Sequence, residues 1–401
     1  MPGEPTDFPL DPARDAAPPE SPGPESRVRA AIARHLPDRE IRSLTVLGEG
    51  LDNRAYEVDG DLIIRIIKNH GTPAPRPKAH PSAAGSELKG ALTGDHEGEH
   101  QGELKGEQGT ERAVEHGDGL EGEHGDGLDS GALRREAELL AALSGFSPLP
   151  VPEPVFVDGE AGVLAYRKLP GVPLLGHPVK DPLLLAPALG RFLSALHQAD
   201  GMERLVPRDV EPLAVWLADA EETYAQPFQM KKRSPPARGR TATPIVNPDT
   251  PPAKANDVLW TTLASQLPAE YRPRIESFLA APPPDEPQEH VFSHNDLGAE
   301  HILVDVGTST ITGIIDWTDA AITDPMHDLA LLYRDLGPEV FEAVLRHYEG
   351  PCDRERVLFY ARCSVLEDIA YGLATGSYLY ADAGIAHLPW IFGPSVAPHP
   401  T

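Results

Sequence analysis

The chain has 401 residues, 40% of them hydrophobic and 24% charged, and carries a formal net charge of -27. That is enough apolar material for one two-lobed domain or two ordinary ones, while such acidity argues against nucleic acid and anionic membrane as main partners, since both demand basic surface; acidity concentrated in disordered segments that keep the chain soluble is the favoured reading of the charge. Two cysteines, Cys352 and Cys363, cannot build a disulfide framework and match no zinc spacing, so they read as buried thiols.

Residues 1–25 are Pro-rich and acidic and read as a disordered N-terminus. No basic n-region, apolar h-region or long apolar run is present, so neither a signal peptide nor a membrane span is predicted, and a reducing cytoplasm is the expected compartment. A helix is predicted from Ser26, where Val28, Ala31, Ile32 and Leu36 recur at helical spacing before Pro37. Three short strands follow. Leu44 to Leu47 leads into Gly48-Glu49-Gly50, Ala55 to Val58 is next, Asp59-Gly60 is a turn signal, and Leu62 to Ile67 reads as buried. A glycine turn between antiparallel strands lets backbone N–H groups approach phosphate; GxG alone is more often an ordinary turn than a nucleotide loop.

Residues 71–131 break this pattern, being rich in Gly, Glu, His, Asp and Lys and internally repetitive: Glu115 to Leu120 recurs as Glu123 to Leu128. Such a composition does not bury enough apolar surface to offset roughly 1–2 kcal/mol of chain entropy per residue, so it reads as a disordered acidic insertion. Its histidines (His80, His96, His100, His116 and His124) have no fixed ligand spacing, and a solvated linker is favoured over a metal site. Helical periodicity resumes at Leu133 and ends near Gly145. Strands are predicted at Val155 to Val157 and Val163 to Leu169, then helices at Leu183 to His197, with Pro187 in the first turn, and at Leu213 to Tyr224. Residues 226–256 form a Pro-rich basic loop. Helices are expected again at Val258 to Gln266, Arg272 to Ala280, Glu339 to Tyr348 and Arg354 to Leu373, with a tail over 381–401.

The most informative stretch runs from Ser293 to Asp328. His294-Asn295-Asp296 sits in a loop, His301 opens an apolar strand, and a turn at Gly307-Thr308-Ser309 leads to a second strand that delivers Asp316 beside His301. Phosphoryl transfer needs such a set: one carboxylate to orient the acceptor hydroxyl and take its proton, and others to hold the magnesium that neutralises developing phosphate charge. Asp296 suits the first task, and Asp316, at the end of a dry strand, offers the hard oxygen magnesium prefers. Imidazole suits softer ions better, so His301 reads either as a metal ligand or as a structural histidine.

This string resembles the active-site segment of the aminoglycoside phosphotransferase family, whose HxDxxxxN and ID[WFG] motifs are matched by His294, Asp296 and Ile315-Asp316-Trp317. His301 stands where the family commonly has Asn, as in the branches resembling aminoglycoside 2''-phosphotransferases and macrolide phosphotransferases. The resemblance implies an α+β, two-lobed, protein-kinase-like fold with an antiparallel-sheet small lobe (26–168) and a mainly helical large lobe (169–380). It also implies roles. Asp296 is catalytic, His294 and Asp328 support the loop, and His301 and Asp316 hold Mg2+. Gly48, Gly50, Asn53, Arg65 and Glu136 bind ATP or GTP, with Arg65 at the position of the family's lysine and Lys68 and Glu138 as the alternatives to Arg65 and Glu136. Strand alternation puts Arg65 on the face of Ile63 and Lys68 on the other. Asp335, Glu339, Glu367 and Asp368 lie on segments that face the acceptor in the family. The expected activity is O-phosphorylation of a small-molecule acceptor by a monomer, with an aminoglycoside first. A macrolide follows if Trp390, Phe392 and Tyr371 build an apolar pocket, then a metabolic hydroxyl; a non-catalytic pseudokinase is the competing class.

Overall fold

The computed structural model describes residues 23–49, 53–68, 130–231 and 258–393. The expectations for residues 1–22, Gly50, most of the acidic insertion with its histidines, and the basic loop from 232 lie outside these residues. Helix α1 (Pro24–His35) buries Val28, Ala31 and Ile32, an i, i+3, i+4 stripe. That stripe covers one face of an antiparallel sheet of β1 (Leu44–Glu49), β2 (Asn53–Val58), β3 (Leu62–Ile67), β4 (Pro154–Asp158) and β5 (Val163–Arg167), ordered β1-β2-β3-β5-β4. The β2–β3 reversal places Asp59 and Gly60 at positive φ, as the turn signal requires.

Alternation along β3 sorts its side chains by layer. Leu62, Ile64 and Ile66 join Tyr56, Val58, Val163 and Ala165 in the cluster against α1. Arg65, flanked in register by Ala55 and Leu164, faces the other way, toward helix α2 (Ser130–Leu143). Helix α2 packs Leu133, Leu139, Leu140 and Leu143 into the main core together with Leu164. Strand β3 is thus apolar on the side of α1 and presents Arg65 on the side of α2.

Strand β6 (Val172–Pro173) leads into the helical lobe. Where one helix was expected over 183–197, a 3-10 turn (Pro182–Leu185) precedes α3 (Ala186–His197). Pro187 has no N–H and its ring crowds the carbonyl four residues back, so the α-helix starts beside it. Helix α4 (Leu213–Ala225) is followed by a second correction: β7 (Pro227–Lys231) pairs with β8 (Val258–Thr262), and only α5 (Leu263–Gln266) remains of the helix expected over 258–266. Val258, Thr261 and Thr262 are β-branched and Trp260 is aromatic, which favours a strand once a ladder partner exists. Helix α6 (Arg272–Leu279) precedes the paired strands β9 (Val291–Ser293), β10 (Ile302–Asp305), β11 (Thr310–Ile314) and β12 (Ala321–Thr323). β10 lies between β11 and β6, and β9 pairs with β12.

Three helices close the lobe: α7 (Pro325–Leu345), α8 (Arg354–Thr375) and α9 (Tyr378–Ile391). The tail expected from residue 381 is therefore helical to Ile391, where Ala381, Leu388 and Ile391 are buried. Helix α7 breaks at Gly337 (φ 75°, ψ 173°), just before Pro338. No helix among the described residues is long and apolar enough to cross a membrane.

Candidate active site

Asp324 caps α7 by accepting the Met326 N–H at 3.0 Å, which places Asp328 in the first turn, beneath the loop that follows β9. There Asp328 accepts the backbone N–H of His294 (3.0 Å) and of Asn295 (2.8 Å). His197, last residue of α3, donates from Nε2 to the same carboxylate at 3.2 Å, and its Nδ1 meets the Tyr348 hydroxyl at 2.9 Å. Burial works to raise Asp328, but the hydrogen bond and charge of His197 hold it below the usual carboxylate range. Asn295 turns the loop with φ 65°, the left-handed region that Asn tolerates best among non-glycine residues.

His294 is fully buried, 4.6 Å from the Trp317 ring. Its Nε2 donates to the Ile315 carbonyl at 3.0 Å, leaving Nδ1 to accept the Asp296 N–H at 3.3 Å. Both bonds require a neutral ring, and burial lowers its pKa to about 4. The imidazole therefore ties Asp296 to the strand end that carries Asp316. Asp316 itself sits at φ 61°, strained backbone of the kind found at functional sites.

His301 lies between the two carboxylates. Its Nδ1 donates to the Asp296 carbonyl oxygen at 2.7 Å and is 3.4 Å from Asp296 Oδ2, while Nε2 is 3.7 Å from Asp316 Oδ2. Burial opposes a charge on the ring, but Asp296 and Asp316 outweigh it and raise His301 to about 9. Burial lifts Asp296 to about 7, against the pull of His301 and with Glu300, Asp319 and Asp316 adding to the rise. For a metal, the donor set fits in one orientation. The Nδ1–H bond to a backbone carbonyl is the outer-shell contact that fixes a ligating histidine, and it points Nε2 and Asp316 at one another. Asp296, Glu300 and His301 also have ligand atoms within 4.8 Å of each other, but the His301 nitrogen nearest Asp296 is committed to that carbonyl. Sequence reasoning missed Glu300. Its carboxylate folds back over Gly298, where a Cβ would come within 2.3 Å of Oε2; its only signal was adjacency to His301.

Arg65 reaches this cluster from the small lobe. Nη1 donates to Glu136 (2.5 Å) and to Thr318 Oγ1 (3.0 Å), and Thr318 in turn donates to Asp316 Oδ1 at 2.6 Å. The Asn53 side-chain oxygen accepts from Arg65 Nη2 at 2.7 Å and Nε at 3.2 Å. Asn53 thus grips the arginine, where the sequence placed it facing phosphate. Gly48 lies on the exposed outer end of β1 at a register shift.

Against known families, the phosphotransferase enzyme family (APH) matches residues 43–360, well over half the chain. The chain belongs to that family. An aminoglycoside 3'-phosphotransferase from Streptomyces fradiae is 33% identical over 84 residues, which cover 19% of this chain and 31% of the relative. The match thus spans about a third of that relative's length. Among solved structures, the GDP and kanamycin complex of the aminoglycoside phosphotransferase APH(2'')-IIIa superposes with a TM-score of 0.51 at 20% identity, covering 91% of this chain and 97% of that one. The apoenzyme of the macrolide 2'-phosphotransferase MphH from Brachybacterium faecium gives 0.47 at 20% identity over 90% and 96%. The two-lobed architecture is that of the APH(2'')-IIIa fold.

In this member of the family the four acidic residues expected to face the acceptor separate. Asp335 is turned inward: it accepts the Ala299 N–H at 2.8 Å and pairs with buried Arg334 at 2.7 Å, and that pairing holds its carboxyl low against burial. It braces the loop between β9 and β10 and is turned away from solvent. Asp368 binds the other side of Arg334 at 2.9 Å while a quarter of its side chain stays exposed. Glu367 is half-buried and Glu339 exposed. Phe392, expected in an apolar pocket, is buried against Phe278.

Proposed function

We propose that this phosphotransferase moves the γ-phosphoryl group of ATP or GTP to a hydroxyl of a small cationic acceptor, an aminoglycoside or a molecule like it. The observation that carries this reading is the convergence of Asp296, His301, Asp316 and Arg65 on one cleft, with His301 between both carboxylates. Asp296 orients the acceptor hydroxyl and receives its proton as the oxygen–phosphorus bond forms and the bond to the leaving nucleoside diphosphate breaks. Asp316 and His301 Nε2 hold Mg2+, which when bound neutralises charge on the phosphates. Arg65 exchanges its Thr318 contact for a phosphate oxygen, a planar donor fork suited to that anion. His294 and Asp328 do no chemistry and hold Asp296 at its height in the cleft.

The nucleotide lies against the small lobe, 26–168, and the acceptor against the large one, 169–380. Glu300 and Glu367 give the acceptor side negative charge, which favours a cationic partner and argues against nucleic acid. Cys352 and Cys363 are free thiols, in keeping with a monomer working in a reducing cytoplasm. The test is phosphate transfer from ATP and GTP, with and without Mg2+, to a panel of aminoglycosides, macrolides and simple sugars. Asp296→Ala is expected to lose at least about 100-fold in turnover, the lower end of a general-base contribution, with nucleotide affinity kept. Unchanged turnover removes Asp296 from its role, and failure to bind nucleotide removes the enzyme reading.

A further inference from the structure

Thr318 stands between Arg65 of the small lobe and the strand end that carries Asp316, and its side chain is exposed. Two hydrogen bonds meet on its hydroxyl: Arg65 Nη1 donates to Oγ1 at 3.0 Å, and Oγ1 donates to Asp316 Oδ1 at 2.6 Å. The direction of both is forced. A guanidinium only donates and an ionised carboxylate only accepts, so the single hydroxyl proton goes to Asp316 and a lone pair to Arg65. Packing does not account for this side chain. Its neighbour Trp317 fills the interior instead, 2% exposed and with Nε1 donating to the Ile314 carbonyl at 3.2 Å.

The relay sets which atoms are left for ligands. Thr318 takes Asp316 Oδ1, and Oδ2 then faces His301 Nε2 at 3.7 Å. On the other side, Asn53 takes two of the guanidinium N–H groups of Arg65, Glu136 one and Thr318 one. The Glu136 bond joins opposite charges and the Asn53 oxygen takes two bonds at once, so the neutral Thr318 contact is the one a phosphate oxygen displaces at least cost. Released by Arg65, the hydroxyl keeps its bond to Asp316, because its proton already points there. We propose that Thr318 is a positioning residue for the metal: it holds Asp316 with Oδ2 toward His301 and joins that carboxylate to the nucleotide clamp across the cleft. The proposal rests on the phosphotransfer reading, in which Asp316 and His301 hold Mg2+. A ligating carboxylate is itself held by an outer hydrogen bond, and loss of such a partner costs roughly 10- to 100-fold in metal affinity.

The experiment is calorimetric titration of the full chain with non-hydrolysable analogues of ATP and GTP, in EDTA and over a series of Mg2+ concentrations. Thr318→Val keeps the shape of the side chain and removes the hydroxyl. It is expected to raise the half-saturating Mg2+ concentration of the nucleotide complex at least about tenfold. Metal-free nucleotide affinity is expected to be kept, because Arg65 still has Glu136 and Asn53. Thr318→Ser, which retains the hydroxyl, is expected to match the unsubstituted protein in both. An unchanged Mg2+ requirement in Thr318→Val, an equal loss of affinity with and without Mg2+, or a serine variant that behaves like the valine one overturns the proposal. Absence of Mg2+-dependent nucleotide binding in the unsubstituted chain overturns the phosphotransfer reading and this proposal with it. Intact Mg2+-dependent binding that Thr318→Val leaves unchanged overturns the proposal alone.

Discussion

Arg65 divides its guanidinium among Asn53, Glu136 and Thr318, so the free protein already holds the cation where a phosphate oxygen is proposed to lie. A hydrogen bond to a charged group is worth about 1.5–3 kcal/mol. Arg65→Ala is accordingly expected to weaken nucleotide binding by roughly 10- to 100-fold, measured by titration with a non-hydrolysable nucleotide; unchanged affinity would take Arg65 out of the clamp. Arg65 and Glu136 were legible because the family resemblance places them on the matching strand and helix, and strand alternation favours Arg65 over Lys68. Thr318 and Glu300 were not legible: neither stands at a motif position, and their places depend on how the chain folds back after β11 and over Gly298. Asp335 was misplaced for a related reason. An acidic residue on a helix beside the site reads the same whether it turns outward to a ligand or inward to Arg334.

Helix α7 joins both halves of the site, carrying Asp328 before its break and meeting α9 just after it. Gly337 has φ 75° and ψ 173°, a conformation essentially confined to glycine, and an added Cβ would meet nothing nearer than Trp390 at 3.8 Å. Any cost of Gly337→Ala is therefore backbone strain, about 1–3 kcal/mol, to be read as a lower denaturation midpoint. A change below about 0.5 kcal/mol would show that the kink relaxes. At the start of α8, Asp353 accepts the N–H groups of Glu355 and Arg356 at 3.0 and 3.2 Å. Asp353→Ala is expected to cost about 0.5–2 kcal/mol in the same assay, and no loss would make the cap idle. Most elements were readable from periodicity and turn residues. The β7–β8 hairpin was not, because its partner strand lies beyond the basic loop and a five-residue apolar run is ambiguous alone. Helix α9 was hidden by Gly384 and Pro389, whose breaking tendency its packing overrides.

For the whole molecule, buried titratable groups set the response to acid. His294 has a folded pKa of about 4 against an ordinary 6.5, so between those values the unfolded chain binds the extra proton. Stability contributed by this group is intact above 6.5 and falls as pH drops toward 4, a span worth roughly 3 kcal/mol at 1.36 kcal/mol per pH unit. Asp328, held low, adds its own loss as pH falls below the ordinary carboxylate value. Asp296, raised to about 7, acts with the opposite sign over the same interval, so the test is a difference: in denaturant unfolding from pH 7 to 4, His294→Asn is expected to gain stability relative to the unsubstituted protein as pH falls, and a constant difference would assign the acid lability elsewhere. The short strands and their turns were legible from the residues, and the two lobes with an antiparallel small-lobe sheet from the family resemblance. The packing of α1 and α2 on opposite faces of that sheet was not, since α2 is separated from β3 by the long acidic insertion.

The Asp328 carboxylate grips the loop from the side away from the acceptor. The position of Asp296 is thereby inherited from the interior of the lobe, and most of the acceptor-side surface on α8 and α9 plays no part in setting it. Substitutions on that surface can therefore change what the cleft admits without moving Asp296.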